Sequence, residues 1–210
     1  LYLEVLESEP NNVDALHRVG LLFLGQGQFD EAHQFLTQAV AGNPGNASFL
    51  NHLGVALLNR GETEDAIDHF QKSIALDEKY VEARLNLAIV QRATDQLFAA
   101  WDTITLASQT DPTNPAILVW RGRIERECGF VQEALESLTA ASELEPENIE
   151  ALGLMGDVMA DLNDLAMAER CYRQALEIDD QVVDLRARLA DCLSKGGRDD
   201  EARVEYERAV

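Results

Sequence analysis

The residues of this chain that could do chemistry are four histidines, three cysteines and a surplus of carboxylates. His17, His33, His52 and His69 lack the one-turn helical pairing of a zinc protease. Cys128, Cys171 and Cys192 form no close pair, so neither a disulfide framework nor a zinc site is expected. No glycine-rich phosphate loop occurs, and no Ser or Cys sits in a nucleophile motif. With 38 acidic residues almost any two could be chosen as an acid and a base, so the choice identifies nothing. The expectation is therefore no catalysis, no metal and no cofactor. Recognition chemistry remains, above all at Arg92, Arg123 and Arg126, because planar guanidinium donors engage carboxylate oxygens in pairs.

A regular spacing must position these side chains. Small residues recur every 34 positions as Gly20, Gly54, Ala88, Gly122, Gly156 and Ala190. Each is followed twelve residues later by an alanine, giving Ala32, Ala66, Ala100, Ala134, Ala168 and Ala202. A period of this length marks stacked supersecondary units. Leu16, Val19, Gly20 and Phe23 form an apolar stripe at helical spacing, Gly25, Gln26 and Gly27 interrupt it, and Phe29, Ala32, Leu36 and Ala39 resume it. Each unit is thus expected to be a helical hairpin.

Proline lacks the amide donor and clashes with the preceding turn, so Pro44, Pro112 and Pro146 should close the second helices. Glu78 and Asp180 stand at that place in two units, which predicts softer boundaries there. A single array over 1–210 follows, with full repeats at 13–46, 47–80, 81–114, 115–148 and 149–182. A shortened sixth repeat occupies 183–210, and 1–12 form the end of a preceding one.

Leu50, Leu53, Gly54, Leu57, Gly61, Ala66, Phe70 and Ile74 in one unit, with Gly156, Ala168, Tyr172, Ala175 and Leu176 in another, resemble the tetratricopeptide repeat family. The resemblance implies an all-α, right-handed superhelical solenoid of stacked antiparallel helical hairpins. It also implies a concave face, made by the first helices, that holds a peptide or a partner protein. Against the family pattern, Gln91 and Glu125 replace large hydrophobes and Ser73 replaces a packing alanine, so units three and four are expected to pack less regularly. Trp101 and Cys171 are expected to be structural, and Trp120 is divided between structure and groove. Asn46, Ala47 and Ser48 spell a glycosylation acceptor, although a helix start is the favoured reading.

On that resemblance, one first-helix column contains Leu21, Val55, Ile89, Arg123, Asp157 and Asp191, and another contains Leu24, Leu58, Arg92 and Arg126. The early part is apolar, with imidazole and amide groups at His17, Asn51, His52, Asn59 and Asn86. Arg92, Arg123 and Arg126 are expected to converge in the centre, and Asp157, Asp161 and Asp191 make the far end acidic. This gradient suits a partner with an apolar segment and an acidic or carboxylate group. The bland alternative has Glu125 and Glu127 neutralising the arginines locally.

The formal charge of -21 disfavours generic attraction to nucleic acid or anionic membranes. No apolar run reaches membrane-spanning length and no leader pattern is present, so a soluble segment in cytoplasm or periplasm is expected. Both ends cut through the repeat, which leaves a leader, an anchor or a further domain open. The leading functional expectation is a noncatalytic interaction scaffold binding a partner in its groove. Alternatives are a regulatory or substrate-docking region of a larger enzyme, such as a glycosyltransferase or sulfotransferase, or an envelope, pilus or secretion assembly factor. Exposed apolar surface at the terminal repeats also predicts homo-oligomerisation.

Overall fold

The computed structural model describes residues 2–209, so Leu1 and Val210, the ends of the expected array, lie outside the described residues. The described residues form only helices and the turns between them. They gather into two compact units, residues 2–110 and 111–209. The first unit holds α1 (Tyr2–Ser8), α2 (Val13–Gly25), α3 (Phe29–Gly42), α4 (Ala47–Asn59), α5 (Thr63–Leu76), α6 (Val81–Ala93) and α7 (Leu97–Thr110). The second holds α8 (Pro115–Glu127), α9 (Val131–Leu144), α10 (Ile149–Asp161), α11 (Leu165–Ile178), α12 (Val183–Lys195) and α13 (Asp199–Arg208). Within each unit a first helix packs on its own second helix, and that second helix packs on the next first helix.

Turn chemistry explains the hairpins. The residue closing each first-helix turn is left-handed, at Gly27, Gly61, Asp95, Gly129, Asn163 and Gly197. Four of the six are glycine, which adopts positive φ without a Cβ clash. Asp95, at φ 58°, carries that strain with a side chain.

Asn12, Asn46, Asn114 and Asn148 start first helices by accepting the amide of the residue three further on. Tyr80 and Val182 stand at that place in the two units that also lack the proline. Their boundaries are clamped instead. Arg84 donates to the Glu78 carbonyl at 3.0 and 3.2 Å, and Arg186 to the Asp180 carbonyl at 2.8 and 3.0 Å. The expected softness is thereby compensated by an arginine four residues into the helix.

The small residues on the first helices receive large side chains. A Cβ on Gly20, Gly54, Gly122 or Gly156 would come within 2.7 Å of Leu36, Phe70, Leu138 or Tyr172, respectively. Alanines 32, 66, 100, 134, 168 and 202 are all at most 2 % exposed, which keeps each crossing tight. Ala190 carries the Cβ that Gly156 lacks, and its partner Tyr206 is 40 % exposed, whereas Tyr172 is 2 % exposed.

The departures from apolar packing are paired with donors rather than left loose. Phe23 stacks on Phe35 twelve residues later, with centroids 5.4 Å apart. At the equivalent place Gln91 accepts from Thr103 at 2.8 Å. Fully buried Glu125 accepts from Ser137 at 2.7 Å and from Arg121 at 2.7 Å. Buried Ser73 donates to the Ala47 carbonyl at 2.7 Å. Irregular packing at Gln91 and Glu125 is therefore corrected to matched polar pairs, which meet the requirement that buried polar groups be satisfied.

Candidate partner-binding faces

In the first unit the first helices α2, α4 and α6 lie side by side. His17 and His52 approach across α2 and α4, with Nε2 and Nδ1 3.0 Å apart, and the Ser48 hydroxyl sits 3.3 Å from the same His52 nitrogen. His17 also stacks on Phe49 with centroids 4.3 Å apart. Across α4 and α6, Asn86 Nδ2 donates to Asn51 Oδ1 at 2.9 Å. Asn51 Nδ2 donates in turn to the Tyr80 hydroxyl at 3.4 Å.

His17 and Asn51, expected as groove contacts, are buried and spent on holding neighbouring helices. Burial, the facing His52 and nearby Arg18 hold the His17 pKa down to about 4, against the opposing pull of Asp14. Burial also lowers the His52 pKa.

Leu21, Leu24, Val55, Leu58 and Ile89 are half-buried on these three helices, at positions three apart and one repeat apart. Leu24, Val55 and Leu58 rest on a core cluster that includes Leu53, Leu57 and Phe70. Asn59 is exposed and turns back to donate to the Val55 carbonyl at 2.8 Å. Arg92 is half-buried on α6. One strip of this unit therefore presents aliphatic surface beside a spent polar row.

Of the equivalent positions of the second unit, Arg123, Arg126, Asp157 and Asp191 are charged and paired, while Ala160 and Ser194 are not charged. Arg123 Nη2 donates to Glu150 at 2.5 Å while its guanidinium lies 5.2 Å from the centre of the Trp120 ring. Arg126 donates to Asp161 at 2.6 Å and to Asp157 at 3.2 Å. Asp157 also accepts from Arg188 at 2.8 Å and from the Tyr172 hydroxyl at 2.9 Å, and Arg188 reaches Asp184 as well. Burial, reinforced by Asp157, pushes the Tyr172 pKa up. Asp191 accepts from Tyr206.

These contacts correct two expectations. The partners of Arg123 and Arg126 include Glu150, Asp157 and Asp161 of α10, whereas Glu125 faces inward to Arg121 and Ser137. The expected passage from basic to acidic surface is, in this unit, a set of bridges between neighbouring first helices. Arg188 and Tyr172 were not among the expected site residues. The signal for Arg188 lay in the spacing: the arginine bridges to Asp157 and Asp161 run at sequence separations of 31 and 35, one repeat less three and one repeat plus one, while Arg123 reaches Glu150 over 27 and Tyr172 reaches Asp157 over 15. The histidine and asparagine pairs share the separation of 35.

Burial raises the pKa of all three cysteines, which favours the protonated thiol. Cys171 is buried as expected, and Trp101 is half-buried. Among the described residues no group of three or more His, Cys, Asp or Glu is placed to hold a metal ion, and no helix is long and apolar enough to cross a membrane.

Paired helices, left-handed turns and neighbouring first helices define a helical-hairpin repeat protein. Residues 17–81 and 149–182 each match a model described as tetratricopeptide repeat. The chain carries tetratricopeptide repeats at both places and has the fold of that family.

BBSome complex member bbs-4 of Caenorhabditis elegans is 24% identical over 179 residues, covering 84% of this chain. The chain spans 38% of that relative's length. The structure of Pseudomonas aeruginosa pilF shares the fold, with a TM-score of 0.81 and 18% identity, covering 92% of this chain and 88% of that one. YrrB, described as a tetratricopeptide repeat protein with an unusual peptide-binding site, aligns with a TM-score of 0.68 and 20% identity, covering 83% of this chain and 90% of that one.

Proposed function

We propose that the chain is a noncatalytic scaffold that holds an apolar segment of a partner polypeptide on the first-helix face of its first unit. The observation that carries this reading is the strip of Leu21, Leu24, Val55, Leu58 and Ile89, half-exposed on three neighbouring helices. Apolar surface gains roughly 25 cal/mol per Å² when it leaves water, so a strip of this kind supplies affinity without any fixed charge. YrrB, a protein of the same fold, is described as having a peptide-binding site, which supports a polypeptide as the occupant.

The charged face of the second unit supports a carboxylate partner less well. A ligand carboxylate entering at Arg123 or Arg126 must displace Glu150, Asp157 or Asp161 and gains only the difference. A paired substitution separates the two faces. Val55→Asp with Leu58→Asp should weaken the captured partner by tenfold or more, roughly 1.4 kcal/mol. Arg123→Ala with Arg126→Ala should leave affinity within about threefold, a difference under roughly 1 kcal/mol. The reverse ranking, with both variants folded by circular dichroism, would move the site to the arginines.

A further inference from the structure

We propose that the His17–His52 contact is an acid-sensitive latch that controls how α2 sits against α4, and with it the apolar face of the first unit. The inference rests on the reading of that face as the partner site. The geometry sets the rule: the two ring nitrogens are 3.0 Å apart, so one must carry a proton and the other a lone pair. Two neutral rings satisfy this.

One added proton, on the far nitrogen of whichever ring is the donor, keeps the bond but places a cation in a largely buried site. A second proton puts two N–H groups face to face and removes the bond. Open, solvated rings accept both protons without this conflict, so acid favours opening.

The surrounding charges bias the same equilibrium. Arg18 on α2 opposes protonation of both rings, Asp14 on α2 favours it at His17, and Glu82 on α6 favours it at His52. Ser48 on α4 lies at the His52 nitrogen that faces His17, and its backbone hydrogen bond also favours the charged form of His52. His17 stacks on Phe49, and Leu21 lies one turn further along α2 beside the strip formed with Val55. Opening of the pair therefore displaces one edge of the proposed partner site.

In the second unit the first helices are bridged by arginine–carboxylate pairs, and no histidine occurs there. That unit is the internal control. Amide hydrogen exchange of the whole chain, corrected for intrinsic rates, should show protection of α2 falling about 20-fold between pH 7 and pH 5, from the His17 values of 6.5 when open and about 4 when closed. Protection of α8 and α10 should stay within about twofold over the same range. The double variant His17→Gln with His52→Gln should lose the difference between the units.

Nitrogen-15 spectra of the wild-type imidazoles supply a readout that needs no variant. They should show one protonated ring nitrogen on each of His17 and His52 at pH 7, with both rings charging below the ordinary histidine value. Unchanged α2 protection down to pH 5, or His17 titrating at 6.5, overturns the latch. Both readouts are independent of any partner, so failure of the proposed partner site would show separately, in the Val55 and Leu58 variants.

Discussion

At the residue scale the most exacting positions are those where one atom decides whether a neighbouring ring can enter. The Tyr172 ring fills the space beside Gly156, where a Cβ would lie 2.5 Å from its nearest carbon. Gly156→Ala should therefore cost about 1–3 kcal/mol, read as a lower midpoint in urea, because the ring must shift and its bond to Asp157 with it. Asp95 is the opposite case. It holds positive φ at a turn where Gly27 and Gly61 stand in its own unit, so Asp95→Gly should raise stability by up to about 1 kcal/mol, measured by the same denaturation.

The recurring small residues were legible from spacing alone, since a position held to Gly or Ala in every repeat advertises a steric limit. The role of Glu125 was not. A carboxylate at an apolar position reads as a defect until Ser137, twelve residues away, is seen to occupy the facing position on the second helix.

Elements are joined by two chemistries. In the first unit imidazole and amide groups link neighbouring first helices, whereas guanidinium and carboxylate groups do so in the second. The difference predicts a pH signature.

His17 has a folded pKa near 4 against an ordinary 6.5, so below 6.5 the unfolded chain takes up a proton that the folded chain refuses. Its contribution is complete above about pH 6.5, declines as pH falls toward 4 and levels off below. The loss amounts to about 3 kcal/mol on the usual conversion. Urea unfolding followed from pH 7.5 to 4.5 should show that slope, and His17→Gln should flatten it.

The hairpins could be read from periodicity and turn residues, but the bridges between them could not be read from one helix at a time. They involve residues 27, 31 or 35 apart, and only the side-by-side arrangement of first helices makes those separations neighbours. The Arg84 and Arg186 clamps were hidden for a related reason. An arginine replacing leucine on a first helix gives no sign that it serves a carbonyl six residues earlier.

At the scale of the molecule, the stacked hairpins present several separate surfaces. One such surface is the outer side of α2. Leu22 is 55 % exposed, while its equivalents Ala56, Val90, Ile124, Val158 and Cys192 are at most 3 % exposed. Tyr2, Leu3, Val19 and Phe23 adjoin Leu22 around a hollow of about 360 Å³. If two copies pair through this end, light scattering should show a mass that rises with concentration and a rise that Leu22→Glu abolishes. A constant mass would reject that pairing.

Position-resolved crosslinking in living cells asks whether the aliphatic strip of the first unit holds a partner. A photoreactive residue placed at Val55 or Leu58 of α4 should trap one recurrent polypeptide, while the same residue at Glu64 or Gln71 of α5 should not. Adducts that form equally from both helices, or from α5 alone, would show that the strip is not the partner site.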